Sequence, residues 1–131
     1  MDVPRNRRYT RDHFWVRQKG NKAVIGASDY LQEELGDVVF VDLPDVDDDV
    51  EAFGTFGIIE SDRAVSDMAC PVSGTVLEIN SDLVDSPELV NEDPYGEGWL
   101  IEVVLDDPEQ IENLMTPEEY EEYIADLGEE G

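Results

Sequence analysis

At 131 residues, with 40% apolar side chains and aromatics spread along its length, the chain is long enough to bury a core and too apolar to read as disordered. Its 34 acidic residues against 8 basic ones give a formal net charge of −26, which sets nucleic acid and anionic membranes aside as partners, and its single cysteine, Cys70, sets aside an internal disulfide. The apolar runs are too short to cross a bilayer and the N-terminus has no apolar signal core, so a soluble, cytoplasmic protein forming one domain over residues 1–131 is expected.

Seven of the eight cations, Arg5, Arg7, Arg8, Arg11, Arg17, Lys19 and Lys22, lie in the first 22 residues, and only Arg63 follows. The acidic remainder reads either as a solvated surface suited to high salt or as a docking face for a basic partner; in the first case molar salt stabilises the fold by screening self-repulsion. His13 to Arg17 and Ala23 to Ala27 read as strands joined by a hairpin at Lys19-Gly20-Asn21-Lys22. Ser28-Asp29 and Tyr30 to Leu35 read as a short helix, with Asp29 and Gln32 at capping-box spacing and Gly36 at the left-handed position beyond its end.

Asp37 to Leu43 is a valine-rich strand closed by Pro44, followed by the turn Asp45-Val46-Asp47-Asp48-Asp49. Thr55 to Glu60 and Ala64 to Ala69 alternate around Ser61-Asp62-Arg63, and Thr75 to Ile79 follows the Ser73-Gly74 turn, which together suggest a meander with Arg63 at a hairpin tip. Pro87 breaks the stretch Leu83 to Asn91, residues 93–98 form a turn-rich loop, and Trp99 to Leu105 is expected to close the sheet. From Pro108 the pattern turns helical: Thr116 as N-cap, Pro117 at the first turn and Glu119 three residues after the cap begin a helix whose stripe is Tyr120, Tyr123, Ile124 and Leu127. Leu114 or Met115 is expected to staple to Tyr120, Gly128 to end the helix, and residues 129–131 to fray. The fold class is thus mostly β, a sandwich over about 9–105 with a helical segment over about 108–127.

The inventory for catalysis is thin. His13 reads as a partly buried strand residue with a structural hydrogen bond, and Cys70, between Ala69 and Pro71, as a small buried side chain. An enzyme using Cys70 as nucleophile requires a thiol that mild reagents alkylate in the folded state. Gly54-Thr55-Phe56-Gly57 lacks the lysine and helix of a phosphate loop, and the aspartates at 45–49 lack the glycine and terminal glutamate of an EF-hand, so neither a catalytic nor a metal site is assigned.

The segment Phe56-Gly57-Ile58-Ile59-Glu60-Ser61-Asp62-Arg63-Ala64-Val65-Ser66-Asp67, followed by Pro71-Val72-Ser73-Gly74, resembles the hairpin of the glycine cleavage H-protein family. There a Glu-Ser-x-Lys-Ala-x-Ser-Asp segment presents a lipoylated lysine. Pro87-Glu88-Leu89-Val90-Asn91 with Asp93-Pro94-Tyr95-Gly96-Glu97-Gly98-Trp99-Leu100 is similar to a second family signature. Tyr9-Thr10, His13, Trp15-Val16, Ile25-Gly26 and Leu35 to Val41 with Leu43-Pro44 match in the same register.

The resemblance implies a lipoyl-domain-like β-sandwich, a barrel-sandwich hybrid with short helices, and a carrier rather than an enzyme. It implies a lipoyl arm shuttling an aminomethyl group from glycine decarboxylase to aminomethyltransferase, reoxidised by dihydrolipoyl dehydrogenase. It places Arg63 at the lipoyl-lysine position, with Glu60, Ser61, Ser66 and Asp67 around it. Lipoylation is amide formation by an amine nucleophile, and a guanidinium is delocalised and always protonated, so Arg63 cannot be acylated and no cofactor is expected on this chain. Lys19 and Lys22 lie in another hairpin without the flanking residues. The chain is therefore an engineered or natural non-lipoylated form, or alternatively an interaction or regulatory module docking to lipoate or sulfur-metabolism enzymes. Arg63 reads either as a cation that partners recognise or as an exposed tip residue weakly paired with Asp62 or Glu60.

Overall fold

The computed structural model describes residues 2–130. In chain order the elements are β1 (Arg8–Tyr9), β2 (Phe14–Lys19), β3 (Lys22–Ala27), α1 (Asp29–Leu35), β4 (Val38–Asp42), β5 (Asp49–Val50), β6 (Thr55–Ser61), β7 (Val65–Ala69), β8 (Gly74–Ile79), α2 (Asp82–Asp85), α3 (Leu89–Glu92), β9 (Ile101–Leu105), α4 (Glu109–Glu112) and α5 (Pro117–Glu130). They build two antiparallel sheets, one ordered β1-β2-β3-β9-β8-β5 and one ordered β4-β6-β7.

The β2–β3 hairpin forms where turn chemistry places it. Gly20 takes φ 62, a conformation that costs a glycine nothing, and Lys19 pairs with Lys22 across the two-residue loop. β3 is buried from Ala23 to Ala27 because both of its faces are covered, which explains its unbroken apolar run. Ile25 belongs with Phe14, Val76 and Val103 to the main core cluster, whereas Val24 joins Trp15, Tyr9 and Tyr120 in a second cluster on the outer face of the larger sheet. Gly26 stands opposite Trp15, and a Cβ there would overlap the indole.

The larger elements follow the sequence reading, with differences that have physical causes. β6 and β7 form the expected hairpin, but β8 leaves for the other sheet and pairs with β9 and β5, so the three strands are not a meander. β9 does not close the sheet; it lies between β3 and β8, with Ile101 and Val103, and Leu100 just before them, fully buried. Pro87 separates α2 from α3.

The N-cap of α1 is Ser28, whose hydroxyl accepts from Leu31 N, while Asp29 instead receives the side-chain amide of Gln32 at 2.8 Å. Gly36 takes φ 80 and ψ −156, a region reserved for glycine but outside the left-handed helical one expected. At α5 the capping box is reciprocal: Thr116 Oγ1 accepts from Glu119 N at 3.2 Å and Thr116 N donates to Glu119 Oε1 at 3.0 Å. The Thr116 N–H that donates to the carboxyl is the main reason Glu119 lies below its ordinary pKa. The helix runs through Gly128 to Glu130 instead of stopping, and Gly131, expected to fray, lies outside the described residues. Met115, Tyr123 and Ile124 pack with Tyr120 on the outer cluster, Leu114 joins the inner one, and Leu127 is half-buried. Among the described residues no helix is long and apolar enough to cross a membrane.

Candidate functional site

The β6–β7 hairpin is shaped by Ser61, which is buried at the base of its turn. Its hydroxyl accepts from the backbone N–H groups of Arg63 and Ala64, both at 3.2 Å, and Ser61 N donates to Ala64 O at 2.8 Å. A serine there closes the turn as a local side-chain to backbone device. The tip residues Asp62, Arg63 and Ala64 are exposed.

The tip leans on the end of α1. Asp62 N donates to Asp37 O at 3.0 Å, and Arg63 Nη1 reaches the carbonyls of Glu33 at 3.3 Å and Glu34 at 3.4 Å. The last turn of α1 carries no basic residue of its own, so Arg63 supplies from another strand the cation that satisfies free carbonyls at a helix C-terminus. Of the two readings of Arg63, the ion pair to Asp62 or Glu60 is absent among the described residues, because the guanidinium is already committed to α1. Gly36 leaves the room for this: a Cβ on it would press on Asp62 Oδ1 and Arg63 Nε.

Asn91 fixes the approach. Its side-chain amide donates to Gly36 O at 2.7 Å and Gln32 Oε1 at 3.2 Å, and its Oδ1 accepts from Val38 N at 2.9 Å. The motif Pro87 to Asn91 alone assigns Asn91 no role; an asparagine that meets three backbone or side-chain partners at a helix-to-strand joint explains its place there. The loop after α3 is tied down in turn by Trp15 Nε1, which donates to Pro94 O at 3.0 Å.

The remaining predicted residues share the hairpin but not one pocket. The register sets Phe40, Glu60 and Val65 in one outward row and Asp42, Ile58 and Asp67 in the next, while Ser66 pairs with Ile59 on the inward side. Glu60 and Asp67 therefore flank the tip, and Ser66 does not join them. Val39, Phe40 and Val65 are 54%, 51% and 66% exposed, an apolar patch beside the tip that the sequence alone does not disclose, because strands of alternating pattern do not reveal which outward residues lack cover.

His13 is not in a strand; it precedes β2 at φ 73. Its Nδ1 is 2.8 Å from Tyr120 Oη, which is 2.7 Å from Ser28 Oγ, and Tyr30 packs on the ring at 4.4 Å. Burial pushes the His13 pKa down, with Asp12 opposing. Above the unfolded value of about 6.5 the ring is neutral in both states and its contribution is intact; as pH falls below that value the unfolded chain takes the proton first and stability drops. His13→Asn, which suits the positive φ, removes this dependence. Between about pH 7.5 and about pH 5 the melting temperature of the native chain is expected to fall more than that of the variant, and equal falls would contradict the assignment.

Cys70 is fully buried, its thiol donates to Val72 O at 3.1 Å, and burial pushes its pKa up to about 11. A thiol so placed is not a nucleophile, and iodoacetamide is expected to label Cys70 only after unfolding; prompt labelling of the folded chain would restore the enzyme reading.

Comparison with known proteins bears on the whole chain. The family model described as glycine cleavage H-protein matches residues 7–127. The glycine cleavage system H protein of Staphylococcus saprophyticus is 49% identical over 126 residues, covering 96% of this chain and all of the relative at 100%. That of Carboxydothermus hydrogenoformans is 45% identical over 127 residues, covering 97% and 98%. The crystal structure of a glycine cleavage system H protein from Mycobacterium marinum superposes with a TM-score of 0.84 at 36% identity, covering 96% of this chain and 99% of that one. Two antiparallel sheets, a helix-braced hairpin and a match along nearly its full length place the chain in the glycine cleavage H-protein family.

Proposed function

We propose that the chain is a single-domain, non-catalytic H-protein scaffold whose Arg63 stands at the lipoyl-lysine position and bars attachment of the arm. The observation that carries this reading is the hairpin itself: Ser61 builds the turn, Glu60 and Asp67 flank it, and the cation at its exposed tip is a guanidinium. Lipoate requires a primary amine, and arginine offers none, so the residues at this tip do not fit the covalent group. Lys19 and Lys22 lie at the β2–β3 turn of the other sheet, without these neighbours.

By family membership the partners are glycine decarboxylase, aminomethyltransferase and dihydrolipoyl dehydrogenase, in a cytoplasmic setting. The exposed Val39, Phe40 and Val65 beside Asp37, Asp42 and Asp67 favour a second element of the reading, that docking survives without the arm. An apolar patch ringed by carboxylates suits a basic partner surface. In a reconstituted glycine cleavage assay the chain as it stands is expected to support no turnover and to inhibit a lipoylated H protein competitively. Its Arg63→Lys form, once lipoylated, is expected to support turnover. Absence of competition would remove the docking element, and turnover by the unaltered chain would remove the first.

A further inference from the structure

A cleft of about 210 Å³ opens on the outer face of the six-stranded sheet, away from the Arg63 hairpin. Cross-strand register lays Arg17, Val24, Glu102 and Glu78 in one row over β2, β3, β9 and β8, and Tyr95 and Trp99 of the preceding loop wall the row. Charges of both signs are left over in it. Glu78 and Glu102 are direct cross-strand neighbours, an arrangement that like charges disfavour. Lys19 answers Glu102 at 3.7 Å, whereas Glu78 makes no ion pair among the described residues.

Arg17 is the opposite case. In a chain with 34 acidic residues it has no carboxylate partner among those described, and its Nε is buried with no hydrogen-bond partner. Arg7, stacked over Trp15 at 4.4 Å and Tyr95 at 5.3 Å, adds a second guanidinium nearby and no acceptor. A half-buried guanidinium that lines the cleft and has no carboxylate partner is open to a bound anion through its terminal N–H groups.

We propose that this cleft binds a zwitterionic amino acid with an apolar side chain. The carboxylate meets Arg17, the ammonium meets Glu78, and the side chain lies against Trp99, Tyr95 and Val24. The cleft has room for more than glycine, and its wall of Trp99, Tyr95 and Val24 suits a branched or aromatic side chain. The reading is independent of whether the hairpin carries lipoate, since the two regions lie on different sheets.

Trp15 and Trp99 are the chain's two tryptophans and both line the cleft, so intrinsic fluorescence reports occupancy. Titration of the intact protein with L-leucine at millimolar concentrations is expected to give a saturable change. Arg17→Gln and Glu78→Gln are each expected to weaken it at least about tenfold, with circular dichroism verifying that each variant is folded. Isocaproate, which lacks the ammonium, is expected to bind at least about tenfold more weakly than L-leucine. No saturation, affinity unchanged in either folded variant, or isocaproate binding as tightly as L-leucine would overturn the proposal.

Discussion

Tyr120→Ala is expected to lower stability by about 3–5 kcal/mol, the cost of emptying a large aromatic site in a packed cluster. For a chain of this length that corresponds to a fall of roughly 10–20 °C in melting temperature. Tyr120 is fully buried, its ring stacks on Tyr9 at 4.5 Å with 3° between the planes, and its hydroxyl lies between His13 Nδ1 and Ser28 Oγ. One proton assignment satisfies the series: Leu31 N–H donates to Ser28 Oγ, Ser28 O–H to Tyr120 Oη, and Tyr120 O–H to His13 Nδ1. The side chain thus joins α5 to the N-cap of α1, the helix whose far end receives Arg63. Tyr120→Phe keeps the stack and loses the hydroxyl, so it is expected to cost less, about 1–3 kcal/mol. Urea denaturation of the three proteins tests this, and an alanine variant no less stable than the phenylalanine one would contradict it.

Gly57→Ala is expected to destabilise by about 1–3 kcal/mol, at the upper end of that range because the obstacle is backbone. A Cβ at 57 would press into the carbonyl oxygen of Asp42 on the neighbouring strand and stand 3.0 Å from Met68 Cε. Methionine can shift; the β4 carbonyl is held by its pairing, so β4 must part from β6 just below the hairpin. Gly128→Ala is the informative contrast. It lies in α5 with open space where the Cβ would go, and alanine there is expected to stabilise by about 0.5–1 kcal/mol. Thermal melts of the pair are expected to shift in opposite directions. A Gly57→Ala protein that melts with the parent would mean β4 and β6 are less closely paired than described.

What was legible in the sequence is what neighbours in sequence decide. Gly20-Asn21 specified a hairpin, Thr116 and Glu119 a capping box, and Ser61-Asp62-Arg63 a tip, since each device acts over four residues or fewer. The exit of β8 to the other sheet and the central place of β9 were not legible, because strand pairing is decided by long-range burial that alternation alone does not reveal. The same holds for the site. Glu60, Ser61, Arg63, Ser66 and Asp67 follow from the hairpin motif, but the motif does not tell that Ser66 pairs with Ile59 on the inward side or that the acceptors of Arg63 lie on α1, a 30-residue separation in the case of Glu33. Gly36 is the available signal: its position marks a helix end, and its glycine-only backbone also clears space for Asp62 and Arg63. Asn91 carried a motif without a role until its three partners were in view.

The account turns on residue 63, and intact mass after incubation with a lipoate ligase, lipoate and ATP tests it most directly. The chain as it stands is expected to keep its mass, and Arg63→Lys to gain one lipoyl group, since the hairpin built by Ser61 would then present an amine. A lipoyl group on the unaltered chain would place the acceptor at Lys19, Lys22 or the N-terminus and contradict the assignment of Arg63.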